Sequence, residues 1–132
     1  MKIVLDTSAA IDIILRAPGS ENLDRAVRES EWIEAPDLMI AEAANVCWKR
    51  HRNGLMRLEQ CETMLTETIA LPDLFIPAAD LYSEAFALAV SAQRAVYDMF
   101  FLVLARRSNA VLLTIDKGLT AFAAQHHIKT LK

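Results

Sequence analysis

Cysteine, glycine and proline are all scarce in this 132-residue chain, at two, three and four residues. The two cysteines, Cys47 and Cys61, form no metal-spaced pair, which excludes a thiolate zinc site. Both are expected as helical core or interface thiols, because a lone disulfide is unusual in a reducing compartment. So little glycine and proline excludes long disordered segments. Uncharged apolar runs stay well short of the ~18 residues that a membrane span needs. The N-terminus lacks the layout of a secretory leader, since strand-like sequence runs straight into Asp6. A cytoplasmic location is therefore expected. Positive charge is also in deficit, with 14 Lys and Arg against 17 Asp and Glu, a net charge of −3. That balance excludes a protein that holds nucleic acid by bulk charge alone.

Apolar residues are abundant, at 54 %. With this length they predict one domain, 1–132, whose core is covered on both sides. KIVL at 2–5 reads as a short buried strand. A helix capped by Thr7 or Ser8 follows to about Leu15, and APGS at 17–20 breaks it. A second helix is expected over 21–31, with a very short strand at Trp32 and Ile33. A long helix over about 37–52 stops at Asn53-Gly54. Another spans about 57–68. LFI at 74–76 is strand-like, and 78–91 returns to helical spacing. The helix from about Ala95 to Ser108 is the most hydrophobic, and AVLLTI at 110–115 is the clearest strand. A short helix near 118–124 and a weak strand at IKTL complete the order. Short apolar strands separated by helices predict an α/β fold with a small, mostly parallel sheet between helical layers.

Carboxylates are costly where side chains are crowded or buried. Asp6 ends the first strand and Asp116 follows the clearest one. In open parallel sheets, ligand sites lie outside this edge. Each residue also fits the plain role of helix N-cap, so the pair is more informative than either member. Asp98 begins the YDMFFLVLA helix, with Phe101, Leu102 and Ala105 on its own face. Glu42 lies inside the apolar segment LMIAEAANVCW, near Met39 and Val46. Asp12 is a weaker candidate, since it can pair with Arg16 one turn on. Asp37 suits a helix start, while Asp80 and Glu84 suit a solvent face. His51, His126 and His127 lack ligand spacing and read as surface residues. Lys49, Arg50, His51, Arg52 and Arg57 form a basic cluster, and Arg106 and Arg107 end the Asp98 helix. Both groups fit solvated helix ends, a phosphate-facing rim or contacts to an acidic partner.

An all-carboxylate cluster without His or Cys suits Mg²⁺ or Mn²⁺. One such ion, or two about 4 Å apart, can activate water and stabilise charge on a phosphodiester. The segments VLDTSAAIDIIL, PDLMIAEAANVCWK, YDMFFLVLARRSNAVLLTID and the following KGL together resemble a PIN-domain ribonuclease. The resemblance is closest to the VapC-like toxins of type II VapBC toxin–antitoxin pairs and runs across essentially the whole chain. It implies a PIN-like three-layer fold and a catalytic metal site on Asp6, Glu42, Asp98 and Asp116. Thr7 or Ser8 is implied as a near-site hydroxyl. It also implies Mg²⁺ or Mn²⁺ as cofactor, RNA as substrate, a homodimer and a cognate antitoxin. Many relatives carry another acid or polar residue just after the last Asp, where this chain has Lys117 and Gly118. A second ion is then weakly held or bound only with RNA.

The leading expectation is a metal-dependent endoribonuclease toxin that leaves a 5′ phosphate and a 3′ hydroxyl. The alternative is a non-catalytic RNA-binding or protein-interaction domain with a structural acid cluster. A small-substrate phosphatase is weaker still. Haloacid-dehalogenase phosphatases usually place a second Asp two residues after the nucleophile, where this chain has Ser8.

Overall fold

The structure, a computed structural model, describes residues 1–131. Four parallel strands form one sheet in the order β3-β2-β1-β4. They are β1 (Lys2–Leu5), β2 (Trp32–Pro36), β3 (Leu74–Ile76) and β4 (Val111–Leu113). The helices are α1 (Thr7–Leu15), α2 (Glu21–Glu29), α3 (Leu38–Arg52), α4 (Leu58–Ala70), α5 (Tyr82–Ala92), α6 (Val96–Ser108) and α7 (Lys117–Gln125). Ile3, Val4 and Leu5 are consecutive and all fully buried. Successive strand side chains point to opposite faces, so both faces of β1 are covered. This is the expected α/β fold. Among the described residues no single helix is long and apolar enough to cross a membrane.

Register places the site. β1 pairs with β4 through Ile3–Val111, Val4–Leu112 and Leu5–Leu113. The Asp6 amide then donates to the Leu113 carbonyl at 2.9 Å, carrying the ladder one step past the strand. On its other side β1 pairs with β2. The chain thus winds one way from β1 to β2 and β3, and returns to add β4 on the opposite flank. Sheet order reverses between β1 and β4, which is where α/β sheets open a crevice at their C-terminal edge.

Several boundaries differ from the sequence reading. β2 continues past Ile33 to Pro36 and takes Glu34 into the sheet. Glu34 is buried, with Lys2 Nζ at 3.4 Å and the Ser108 hydroxyl donating at 3.4 Å. A lysine at the neighbouring strand's start makes this interior acid tolerable. β4 stops at Leu113 because Thr114 and Ile115 turn toward the site rather than pairing. The expected 78–91 helix is a 3-10 turn at Ala78–Asp80 followed by α5, with Leu81 between them. The weak final strand is a single bridge, Leu112–Thr130.

The main core fills the sheet surfaces and includes Phe101, Leu102 and Val103 of α6. A second cluster joins Cys47, Cys61 and Met64 beneath Ile14, Leu15, Met56 and Leu65. Both cysteines are free and buried, as expected of helical core thiols.

Candidate metal centre

The strand ends supply the first two acids. Asp6 sits between β1 and α1 in an extended conformation, but its side chain does not cap the helix. Instead its Oδ2 accepts hydrogen bonds from Ser8 Oγ at 2.8 Å and Thr114 Oγ1 at 2.7 Å. The carboxylate is almost wholly buried. Asp116 does cap, with Oδ1 accepting from the Leu119 amide at 2.9 Å. Its own amide donates to Thr114 Oγ1 at 3.1 Å. Of the two plain N-cap readings, the one for the Asp116 side chain holds and the one for the Asp6 side chain does not.

The helices supply the other two. Glu42, on the second turn of α3, accepts from Thr7 Oγ1 at 2.7 Å through Oε1. Asp98, in the first turn of α6, is half-buried with Phe101, Leu102 and Ala105 fully buried on its stripe. Tyr97 does not continue that buried face and is well exposed. Arg94, one turn before Asp98, holds its Nη2 3.8 Å from Asp98 Oδ2.

These acids meet. Asp6, Glu42, Asp98 and Asp116 line one open cleft of about 360 Å³, with Thr7, Ser8, Ile11, Asp12, Val46 and Ile115. Burial pushes the Asp6 carboxyl above its ordinary range, against the Thr114 and Ser8 hydrogen bonds that lower it, and Asp116 adds repulsion. Glu42 is raised by burial and then by Asp6 and Asp98, opposed by its Thr7 bond. Asp98 is raised by burial, then by Asp6 and Asp116, with Arg94 in opposition. Mutual repulsion of this kind means the acids sense one another across the cleft.

The donor set fits a hard divalent cation, since every ligand atom it offers is oxygen. The acids are spread around the cleft rather than gathered: among the described residues no three of them stand close enough for a ready-made cage. Hydroxyls of Ser8 and Thr114 bond Asp6, and that of Thr7 bonds Glu42.

Sequence reading missed two neighbours of the site, Thr114 and Arg94, and ranked a third, Asp12, as a weaker candidate. Asp12 lines the cleft, and no Asp12–Arg16 ion pair forms among the described residues. Arg16 instead ends α1 in the left-handed region, at φ 53°. The i,i+4 spacing from Ser8 was the available signal. Thr114 was signalled by its place two residues before Asp116, a spacing suited to local hydroxyl–amide bonds. Arg94 was signalled by its i,i+4 spacing to Asp98. Arg106 and Arg107 do not form a phosphate rim. Both bind the Glu84 carboxylate at 3.0 Å, which also removes Glu84 from a purely solvent-facing role. Asp37 begins α3 as expected, yet its side chain accepts from the Ala78 amide at 2.9 Å, tying β2 to the segment after β3.

Comparison with known proteins gives a consistent picture. The family model described as PIN domain matches residues 3–125. Ribonuclease VapC3 of Pyrobaculum aerophilum is 35% identical over 124 residues, covering 90% of this chain and 92% of that protein. Among solved structures, PAE2754 of Pyrobaculum aerophilum has a TM-score of 0.74 at 24% identity, over 92% of this chain and 78% of that one. VapBC2 of Rickettsia felis, solved bound to a DNA fragment from their promoter, has a TM-score of 0.68 at 17% identity, over 99% and 98%. The two structural likenesses carry the fold alone.

Proposed function

The chain belongs to the PIN-domain family, and from that premise we propose that it is a metal-dependent endoribonuclease, the toxin of a toxin–antitoxin pair. The observation that carries this reading is the meeting of Asp6, Glu42, Asp98 and Asp116 in one open cleft at the sheet's C-terminal edge. Similarity to a VapC ribonuclease supports it.

Asp6, Asp98 and Asp116 would hold Mg²⁺, with Mn²⁺ able to replace it, and Glu42 would complete the set. A divalent cation bound there supplies activation of water and neutralisation of phosphoryl charge. The chain's own groups do the rest. Ser8 and Thr114 fix Asp6 in one orientation. Thr7 engages only Oε1 of Glu42, which leaves Oε2 to orient the attacking water and accept its proton. Water oxygen bonds to phosphorus, the bond from phosphorus to the 3′ oxygen breaks, and that oxygen takes up a proton. The products are a 5′ phosphate and a 3′ hydroxyl, and the 2′ hydroxyl has no part in the step. The spread of the acids suits a site whose full coordination is reached only with an RNA phosphate in place.

RNA has a path to this cleft. Glu42 and Val46 line it, and Lys49 and Arg50 continue the same face of α3, one to two turns on and roughly 10 Å further. Beyond them Arg52 stacks on the exposed Trp48, 4.9 Å from the ring centroid. Such cation–aromatic pairs suit single-stranded nucleic acid.

The deciding assay incubates purified protein with RNA in Mg²⁺, Mn²⁺ or EDTA. Cleavage should require the metal and fall at least about a hundredfold in Asp98→Asn, since an interaction with developing charge is lost. Metal-independent cleavage that survives this substitution would sink the mechanism. For the toxin role, expression of the chain should arrest growth, and a small antitoxin gene found beside its own should relieve that arrest when co-expressed. A homodimer belongs to the same reading, on the apolar groove where Tyr82, Phe86 and Tyr97 stand exposed beside Leu38, Val96 and Phe100.

A further inference from the structure

We propose that Arg94 is a phosphate-binding residue of the acidic cleft, turning from Asp98 to an RNA phosphate when substrate arrives; this rests on the ribonuclease reading above. The guanidinium is under-paired. It carries five N–H donors. Nη1 reaches the Gly118 carbonyl at 3.5 Å, the limit of a hydrogen bond. Nη2 stands 3.8 Å from Asp98 Oδ2, well beyond the ~2.8 Å of a charge-assisted bond. The Nε atom is buried without any partner. Arg106 and Arg107 of the next helix segment bind Glu84 at 3.0 Å, so close pairing is available to arginines in this fold. Arg94 stands among acids and does not take it.

Its position is nevertheless fixed. Gln93 before it adopts a left-handed conformation, φ 55°, in the tight turn between α5 and α6. The Arg94 amide donates to the Ala89 carbonyl at 3.2 Å. The guanidinium carbon lies 5.4 Å from the Phe122 ring centroid, stacked on α7. Gly118 makes room for it: a Cβ there would stand 3.2 Å from Asp116 Oδ1 and 3.4 Å from Arg94 Nη2. The chain thus places a cation beside the position that follows Asp116, between the Asp98 and Asp116 helices. Among the described residues it is the one Lys or Arg that ion-pairs with any of the four site acids. A planar fork with under-used donors, beside Asp98 at the margin of the acidic cleft, suits a ligand that brings phosphoryl oxygens of its own.

The test uses the full chain, a fluorescein-labelled RNA oligonucleotide and Mn²⁺, comparing wild type with Arg94→Met and Arg94→Lys. RNA binding is followed by anisotropy in Ca²⁺ across a salt series. Mn²⁺ binding without RNA is measured by calorimetry. Arg94→Met should weaken RNA binding about tenfold or more and make log K against log salt shallower by about 0.7, the value for one single-strand phosphate contact. Arg94→Lys should restore the salt slope but only part of the affinity, because it keeps the charge and loses the fork. Mn²⁺ affinity should hold or rise in Arg94→Met, since a competing cation has gone. If Arg94→Met matches wild type in RNA affinity and slope while Mn²⁺ affinity changes, Arg94 is only a counter-ion of Asp98 and the proposal fails alone. If wild type neither binds nor cuts RNA, the ribonuclease reading fails and takes this one with it. Should Arg94→Met not fold, Arg94→Lys decides: RNA affinity equal to wild type overturns the proposal.

Discussion

Thr114 joins both strand ends through one hydroxyl. It donates to Asp6 Oδ2 at 2.7 Å and accepts from the Asp116 amide at 3.1 Å. Replacing it with valine keeps the shape and removes both bonds. Asp6, already pushed up by burial and relieved first by Thr114, would then resist ionisation further. Groups that orient a metal ligand typically contribute 10- to 100-fold in affinity or activity, and Thr114→Val should lose about that much. Mn²⁺ titration calorimetry beside RNA cleavage rates checks this; unchanged Mn²⁺ affinity would show that Ser8 alone orients Asp6. Asp6, Glu42, Asp98 and Asp116 were legible in the sequence because acids interrupted apolar runs. Thr114 and Arg94 left only weak local signals, their spacings to Asp116 and Asp98, because their other partners lie 108 and 24 residues away. A threonine at a strand end and an arginine beside a helix start are unremarkable until the fold supplies the neighbour.

β4 is only three residues long, yet it carries Thr114 and Asp116 to the β1 edge. Its hold depends on Leu112 and Leu113, both fully buried. Leu112→Ala should cost about 2–5 kcal/mol through lost burial and a residual cavity. Denaturant melts measure that directly. Mn²⁺ affinity should fall with it, since β4 sets the distance between the two strand-end acids. On the opposite flank, α5 bears Phe86 and Val90, each more than 60% exposed. Phe86→Glu places a charge in that apolar patch and should convert the proposed homodimer to a monomer in sedimentation without lowering the melting temperature of the subunit, and a wild type that sediments as a monomer would overturn the dimer itself. A variant that remains dimeric would move the interface elsewhere. The elements themselves were largely readable, because short apolar runs between helical spacings leave few alternatives. β2 was read too short because Ala35-Pro36-Asp37 reads as a break, whereas the strand runs on through Glu34 to Pro36. Only Lys2 on the adjacent strand reveals why Glu34 can stay inside.

For the whole molecule, the site is a local conflict built into an otherwise consistent core. Burial, and repulsion between neighbouring acids, raise the carboxyls of Asp6, Glu42 and Asp98. The folded chain therefore binds these protons more tightly than the unfolded chain does. Stability from these groups is fully present below the unfolded carboxylate range and is lost as pH rises through their higher folded values. Without metal, the protein should lose stability as pH rises from the ordinary carboxylate range through the raised folded values of these three groups. The proposed divalent cation would act in the opposite sense. Bound to the ionised acids, it would stabilise most where they are deprotonated and would have to displace protons where they are not. Mn²⁺ should thus raise the melting temperature more at about pH 8 than at about pH 5. Asp98→Asn removes one titrating group and one ligand together. It should flatten the metal-free pH profile and shrink the Mn²⁺ shift in the same variant. Thermal melts in EDTA and in Mn²⁺ across this range separate the two contributions. A Mn²⁺ shift of equal size at both pH values would mean the ion sits away from these carboxylates, because only ligands that exchange protons for metal make the shift depend on pH.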